Sequence, residues 1–116
     1  MEKNKRQTGR IYEQLAGRYL EESGYEILEY NYRGRWGEID IIAKEGAYLV
    51  FCEVKYRAGG CRGNSLEAVD AKKQRKICFT AMQYMAAKKL TDIPCRFDVI
   101  GIEGTRIRHI KDAFHG

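Results

Sequence analysis

The segment EIDIIAKEGAYLVFCEVK, residues 38–55, decides the fold of this chain. Its two halves, 38–43 and 48–55, are rich in β-branched and aromatic residues, and a short polar turn containing Gly46 joins them. A connection of this length is typical of a β-hairpin. We therefore predict two neighbouring antiparallel strands here.

Charged side chains interrupt the second of these apolar strands. Glu53 and Lys55 share a face with Phe51, because side chains alternate along a strand. Folding the hairpin about Gly46 brings Asp40 of the first strand to the level of Phe51 to Glu53. Two acids and a lysine are thus expected to converge. The alternative for Glu-x-Lys is a solvated face with a weak ion pair, but the apolar residues around it favour a site.

The same alternation applies to the first strand of the hairpin. It places Ile39, Ile41 and Ala43 on one face and Glu38, Asp40 and Ile42 on the other.

The remaining segments predict two helices and three further strands. The first helix starts at Thr8 and ends at Gly24, and a strand follows over residues 25–32. Asp70 caps a long helix over 71–90. After Pro94, a second hairpin turns at Gly104. The order is α-β-β-β-α-β-β, which predicts an α/β fold with a mixed central sheet of five strands flanked by helices.

Composition sets the class of protein. With 116 residues and 44% hydrophobic content, the chain suits one domain, predicted over residues 9–116 behind a flexible tail at 1–8. The net charge of +5 favours a polyanionic partner, or else a solvated basic surface. The four cysteines contain no C-x-x-C pair. The N-terminus has no apolar signal core, so a cytoplasmic protein without membrane association is expected.

Two carboxylates beside a lysine suit phosphodiester hydrolysis. Hard oxygen ligands from Asp40 and Glu53 can hold Mg²⁺ or Mn²⁺, which would activate water and offset phosphate charge. Lys55 would orient the nucleophile and stabilise the transition state.

Four short motifs carry a resemblance to a known family. They are WGEIDIIA at 36–43, LVFCEVK at 49–55, FDV at 97–99, and the basic KKQR at 72–75. They resemble the YraN family of small bacterial proteins, which belongs by resemblance to the PD-(D/E)XK superfamily. The match runs from about Gly9 to Ile102. The resemblance implies a restriction-endonuclease-like fold, shared with archaeal Holliday-junction resolvases, and metal-dependent endonuclease activity on DNA, including branched DNA.

The resemblance also assigns roles to individual residues. Asp40 and Glu53 become the metal ligands with the carbonyl of Val54, and Lys55 becomes the catalytic lysine. Glu13 in the first helix matches an additional acidic position of the superfamily; the alternative is an exposed helix acid. Gln74 matches a polar position near the lysine, and the alternative is a solvated helix residue. The proline of the motif's name is replaced by Ile39.

Basic side chains around the predicted site are candidate DNA contacts. They are Arg33, Arg35, Arg57, Arg62, Lys72, Arg75 and Lys76. The alternative for the helix lysines is a solubilising face.

The roles of Trp36, Glu38 and Asp98 are less closely defined by the sequence. Trp36 is expected to pack on the core rim, with stacking on an unpaired base as the alternative. Glu38 is either an extra ligand or a partner of Arg33 or Arg35. Asp98 is assigned a structural hydrogen-bonding role, and the histidines receive none.

Three functions are therefore compatible with the sequence. The first is a Mg²⁺- or Mn²⁺-dependent DNA endonuclease, for which a homodimer is expected because cutting both strands commonly needs two sites. The second is a DNA-binding or scaffold module without turnover. The third is a protein-interaction domain, which predicts no salt-dependent DNA affinity.

Overall fold

The structure is a computed structural model that describes residues 5–57 and 69–114, with side chains described for 9–56 and 69–114. Seven elements follow the predicted order α-β-β-β-α-β-β and form an α/β fold. They are α1 (Lys5–Glu22), β1 (Glu26–Arg33), β2 (Glu38–Glu45), β3 (Tyr48–Arg57), α2 (Ala71–Ala87), β4 (Cys95–Glu103) and β5 (Arg106–Phe114). Within these described ranges, no helix is long and apolar enough to cross a membrane.

The five strands form one mixed sheet in the order β1-β2-β3-β4-β5. Neighbouring strands are antiparallel except β3 and β4, which run parallel. A parallel pair needs a crossover connection, and α2 lies in the chain between these two strands. The predicted hairpin of β2 and β3 is confirmed. It turns at Gly46, whose φ of 58° suits glycine, and pairs Ile41 with Cys52.

Each face of the sheet is covered by one helix. On one face, Ala16 and Leu20 of α1 pack in a cluster with Val50, Cys52 and Ile100. The second cluster contains Ile77, Ala81 and Tyr84 of α2 together with Leu49 and Phe51. Because Leu49 and Phe51 face α2, the alternation of β3 directs Glu53 to the same side.

The start of β2 departs from the predicted alternation. Ile41 belongs to the α1-side cluster, whereas Ile39 packs with Ile42 on the α2 side, so the face changes near Asp40. The paired register of β2 with β3 runs from Ile41 to Glu45. Next to it, Oδ2 of Asp40 accepts a hydrogen bond from the backbone N–H of Val54 at 2.8 Å. A side chain thus replaces a backbone acceptor, and the strand is irregular where the predicted site lies.

The two edge strands are also irregular. In β1 the register shifts between Ile27 and Glu29, and Asn31 has a left-handed φ of 53°. Opposite β4 the register shifts between Phe97 and Val99, and Asp112 of β5 has φ 54°. These are β-bulge positions, where one strand carries extra residues relative to its neighbour.

The start of α1 and the end of α2 differ from the sequence prediction. Helix α1 begins at Lys5 rather than after Thr8. Helix α2 begins as predicted, with the side chain of Asp70 accepting from the N–H of Lys73, but it ends at Ala87 rather than Leu90. Lys89 adopts a left-handed φ of 56°, which stops the helix.

Candidate active site

A cavity of about 370 Å³ lies between the β2–β3 hairpin and the N-terminal half of α2. We call it the acid–lysine cleft. Its lining is formed by Trp36, Gly37, Glu38, Asp40, Glu53, Asp70, Lys72, Lys73, Lys76 and Ile77. The structure therefore brings the predicted Asp40 and Glu53 together and faces them with lysines of α2.

Glu53 is a buried carboxylate with a lysine partner. Its side chain is 7% exposed, and its Oε2 lies 2.6 Å from Nζ of Lys73. Burial lowers the pKa of Lys73, but the hydrogen bond and charge of Glu53 and the charge of Asp40 outweigh it, so the pKa is raised. The ammonium of Lys73 is therefore held at the acidic side of the cleft.

The pKa of Asp40 is raised far above its ordinary value. Burial first, and the nearby charge of Glu53 second, raise its pKa to about 8, although the hydrogen bond from Val54 acts in the opposite direction. Like charges in a desolvated site disfavour the ionised form of an acid. Such perturbation is typical of functional sites, where charges are gathered for a task rather than for stability.

Glu13 lies near this pair without lining the cleft. Its Oε1 accepts a hydrogen bond from Nδ2 of Asn31 at 2.8 Å, and this contact attaches α1 to β1. Burial raises the pKa of Glu13, and the charges of Glu38 and Glu53 raise it further. Glu13 therefore contributes to the negative potential around the acids of the cleft.

Two other predicted catalytic residues also lie outside the described lining of the cleft. Lys55 follows Glu53 on β3 and is partly buried. Gln74 donates a hydrogen bond from Nε2 to the carbonyl oxygen of Val69 at 2.7 Å, which stabilises the start of α2. In this arrangement the side chain of Gln74 is hydrogen-bonded to the backbone just before α2.

The predicted DNA contacts differ in whether they line the cleft. Lys72 and Lys76 line the cleft, whereas Arg75 is exposed on α2 outside its described lining. Arg33 forms an ion pair with Glu38 at 3.2 Å, which agrees with one of the two interpretations of Glu38. Arg35 is exposed.

Two further candidate DNA contacts were predicted on β3 and in the segment that follows it. Arg62 and the side chain of Arg57 lie outside the described residues.

The cleft contains carboxylates that could serve as oxygen ligands to a divalent ion. Among the side chains that the structure describes, no group of three or more His, Cys, Asp or Glu residues is arranged to hold a metal. Mg²⁺, however, is commonly held by one or two carboxylates, with waters and substrate phosphates as its other ligands. Asp40 and Glu53 supply two carboxylates in one cleft, and the backbone carbonyl of Val54 is adjacent in sequence.

Trp36 was expected to pack on the core rim, and that prediction is wrong. Its side chain is 57% exposed, and its ring centroid lies 6.2 Å from that of Phe79, which is also exposed. The residue type favours burial, but the loop between β1 and β2 holds it at the mouth of the cleft.

A second buried ionic cluster surrounds Asp98 on the α1 side of the sheet. Asp98 is fully buried and accepts two hydrogen bonds from Arg96, at 3.0 and 3.1 Å, and one from the N–H of Asp112 at 3.0 Å. Its Oδ2 lies 2.7 Å from Nε2 of His109, whose Nδ1 is 3.1 Å from the hydroxyl of Tyr19. Burial raises the pKa of Asp98, but the hydrogen bonds outweigh it and hold the pKa below its ordinary value.

This arrangement agrees with the structural role predicted for Asp98. Sequence reasoning missed His109 and Lys73. Lys73 could have been noticed because it lies in the first turn of the helix that Asp70 caps. The sequence spacing of His109 gave no indication that Asp98 is its partner.

The fold and the cleft define an α/β protein whose central hairpin presents three acids, Glu38, Asp40 and Glu53, to a basic helix. The sequence profile described as uncharacterised protein family UPF0102 matches residues 12–102. The chain belongs to this family, the YraN family that its motifs indicate.

Relatives from several bacteria match over most of their length. The UPF0102 protein of Lachnoclostridium phytofermentans is 49% identical over 112 residues, covering 96% of this chain and 95% of the relative. That of Shewanella oneidensis is 42% identical over 106 residues, covering 91% and 97%. That of Rhodococcus opacus is 44% identical over 107 residues, covering 88% and 91%.

Proposed function

We propose that this protein is a Mg²⁺- or Mn²⁺-dependent endonuclease that hydrolyses phosphodiester bonds in DNA. The observation that carries the proposal is the convergence of Asp40 and Glu53, from adjacent strands, in a cleft whose opposite wall carries lysines. Placing the half-buried Asp40 beside the buried Glu53 costs folding free energy, which a structural role alone does not explain. The resemblance to the PD-(D/E)XK superfamily supports the same assignment.

The residues of the cleft divide the work of such a reaction. Asp40 and Glu53, with the carbonyl of Val54, would hold the ion. When bound, a divalent ion supplies positive charge to the phosphate and makes water a stronger nucleophile. Lys55, which follows Glu53 on the same face of β3 by alternation, would orient the nucleophile. Glu13 would add negative potential that favours cation binding.

The lysines of α2 would bind the DNA backbone. Lys72 and Lys76 line the cleft beside the acids, and the whole chain carries a net charge of +5. Contacts of this kind are independent of base sequence and weaken as salt increases. Arg75 extends the same basic surface along α2, and Arg33 and Arg35 extend it along the loop before β2.

The test is cleavage of labelled DNA by the parent and by two isosteric variants. We expect the parent to cut a linear duplex, a nicked duplex or a four-way junction with Mg²⁺ or Mn²⁺ and to leave them intact in EDTA. Asp40→Asn and Glu53→Gln should reduce the rate at least about 100-fold, because each removes a charge that holds the ion. Asp92→Asn, at an exposed loop position, is the matched control. A folded parent that cuts none of these DNAs would contradict the proposal.

A second candidate is a DNA-binding or scaffold module without turnover. The ion pair of Lys73 with Glu53 at 2.6 Å favours it, because the lysine already neutralises one acid of the cleft. This candidate predicts that DNA affinity persists in EDTA and that Asp40→Asn binds as well as or better than the parent. The nuclease proposal instead predicts that divalent ions strengthen binding to the parent and not to the variant.

The proposal extends to assembly and location. A nuclease that cuts both strands of a duplex or junction commonly needs two sites, so we propose a homodimer acting in the cytoplasm. Sedimentation of the protein with and without a four-way junction tests the dimer. A single protein copy on each junction would contradict it.

A further inference from the structure

Two exposed aromatic rings stand at the mouth of the acid–lysine cleft. Trp36 lines the cleft and is 57% exposed, and Phe79 of α2 is 49% exposed. Their ring centroids are 6.2 Å apart, with the ring planes inclined by 45°. We call this pair the aromatic platform. Large exposed aromatic groups beside a polar cleft commonly mark a binding surface, because burying them against a ligand is favourable.

The loop that carries Trp36 is tied to α2. The N–H of Gly34 donates to the carbonyl oxygen of Gly37 at 2.8 Å, and the N–H of Arg35 donates to Oε1 of Gln83 at 2.8 Å. A Cβ at Gly34 would lie 2.5 Å from that same Oε1, so the loop packs closely on the helix. The backbone that carries Trp36 is therefore held in place before a ligand arrives, which reduces the entropy cost of binding.

The charges around the platform identify the chemistry of its ligand. Lys72 and Lys76 line the same cleft as Trp36, and the exposed Arg35 precedes Trp36 in the loop. A ligand that satisfies both features carries negative charge and a flat apolar face. A nucleotide has both, but in a continuous duplex the faces of internal bases are covered by their neighbours.

We propose that Trp36 and Phe79 stack on an unpaired nucleobase, so that the cleft takes DNA at a single-stranded segment or where a duplex opens. This inference rests on the proposed nuclease function and names its substrate class. The base held on the platform would leave its phosphates to the lysines and the acids of the cleft. Stacking on aromatic side chains tolerates every base, so no sequence preference is expected from the platform.

Trp36 is itself the probe, because it is the only tryptophan of the chain. Its fluorescence is measured in EDTA, where cleavage does not interfere, during titration with three DNAs. These are a single-stranded oligonucleotide, an abasic strand with the same number of phosphates, and a closed hairpin duplex without free ends. The single strand should quench Trp36 strongly, and the abasic strand and the closed duplex should bind with little quenching. Equal quenching by all three would overturn the proposal.

Two matched variants separate stacking from charge. Phe79→Leu retains an apolar side chain but loses the ring, and it should weaken binding of the single strand about 10-fold, the effect of one lost stacking contact. Its affinity for the abasic strand should not change. Tyr48→Leu removes an exposed ring that lines a different cavity and should leave both affinities unchanged. Equal losses for the normal and the abasic strand would overturn the proposal.

The failures of the two proposals are distinguishable. Selective quenching by the single strand without cleavage in Mg²⁺ would retain the platform and remove the nuclease. Cleavage without selective quenching would retain the nuclease proposal and remove the aromatic platform as a base-stacking site. A change in Trp36 emission with protein concentration alone would mean that a second copy of the chain covers the rings, and the nucleobase proposal would then be wrong.

Discussion

Asp40→Asn should change how folding stability depends on pH. Burial and the charge of Glu53 raise the pKa of Asp40 in the folded protein to about 8, against an ordinary value of 3.8. Between these two values the folded state holds a proton that the unfolded state has released. The free energy of unfolding of the parent should therefore decrease as pH rises through this window, and level off above about pH 8.

The size of the effect follows from one proton. A group that is protonated only in the folded state changes stability by at most about 1.4 kcal/mol per pH unit. Because solvent in the open cleft screens Asp40, we expect about half of the largest possible change, or roughly 1.5 kcal/mol between pH 5 and pH 7. Asparagine keeps an oxygen that can accept from the N–H of Val54 but carries no charge at any pH. The stability of the variant should therefore not decrease through this pH window, and the variant should be more stable than the parent at neutral pH.

The assay is urea unfolding in EDTA at several pH values, for the parent, Asp40→Asn and the exposed control Asp92→Asn. Titrating groups that do not interact with Asp40 cancel in the difference between the curves, whereas Glu53, Glu13 and Lys73 contribute to it together with Asp40. A difference between parent and Asp40→Asn that stays constant from pH 5 to pH 8 would refute the reasoning. Repeating the series in Mg²⁺ adds a metal test without turnover: a bound ion should stabilise the parent progressively more as pH rises, because it competes with the proton.

Two further predictions concern the second ionic cluster and the basic helix. Asp98→Ala should reduce the free energy of unfolding by about 3–5 kcal/mol, measured in urea at neutral pH, because it leaves the largely buried Arg96 without its main partner; a loss below about 1 kcal/mol would contradict this. Since the pKa of Asp98 lies below its ordinary 3.8, the parent should keep this stabilisation at neutral pH and lose it only as pH falls below that value. Lys72→Gln and Lys76→Gln should each reduce the slope of log affinity for DNA against log salt by about 0.7 to 1, and unchanged slopes would show that these lysines contact no phosphate.

Much of the fold could be predicted from local patterns. Apolar alternation and a turn glycine specify the β2–β3 hairpin, and Asp70 marks the start of α2, because both signals depend on neighbouring residues only. The pairing of Asp40 with Glu53 followed from the hairpin alone. The family motifs then added interpretations for Glu13 and Gln74 that sequence periodicity does not supply.

The rest depended on tertiary contacts. The change of face near Asp40, which departs from the alternation that the prediction assumed, coincides with the hydrogen bond of Asp40 to the N–H of Val54, a contact made across the hairpin. The pairing of Lys73 with Glu53 depends on how α2 lies across the sheet, which helix periodicity does not encode. Trp36 is exposed because its loop is bonded to Gln83, a residue far away in sequence.

The bulged edges of the sheet bear on how this protein can assemble. A regular outer strand offers unpaired N–H and C=O groups to any other chain, and this is a common route to aggregation. Both edge strands contain a register shift and a residue with left-handed φ, Asn31 in β1 and Asp112 in β5, and both carry charged side chains. Two copies that meet in solution are therefore directed away from joining their sheets. Irregular edges of this kind favour a dimer built from helix or loop surfaces over one that joins the two sheets edge to edge.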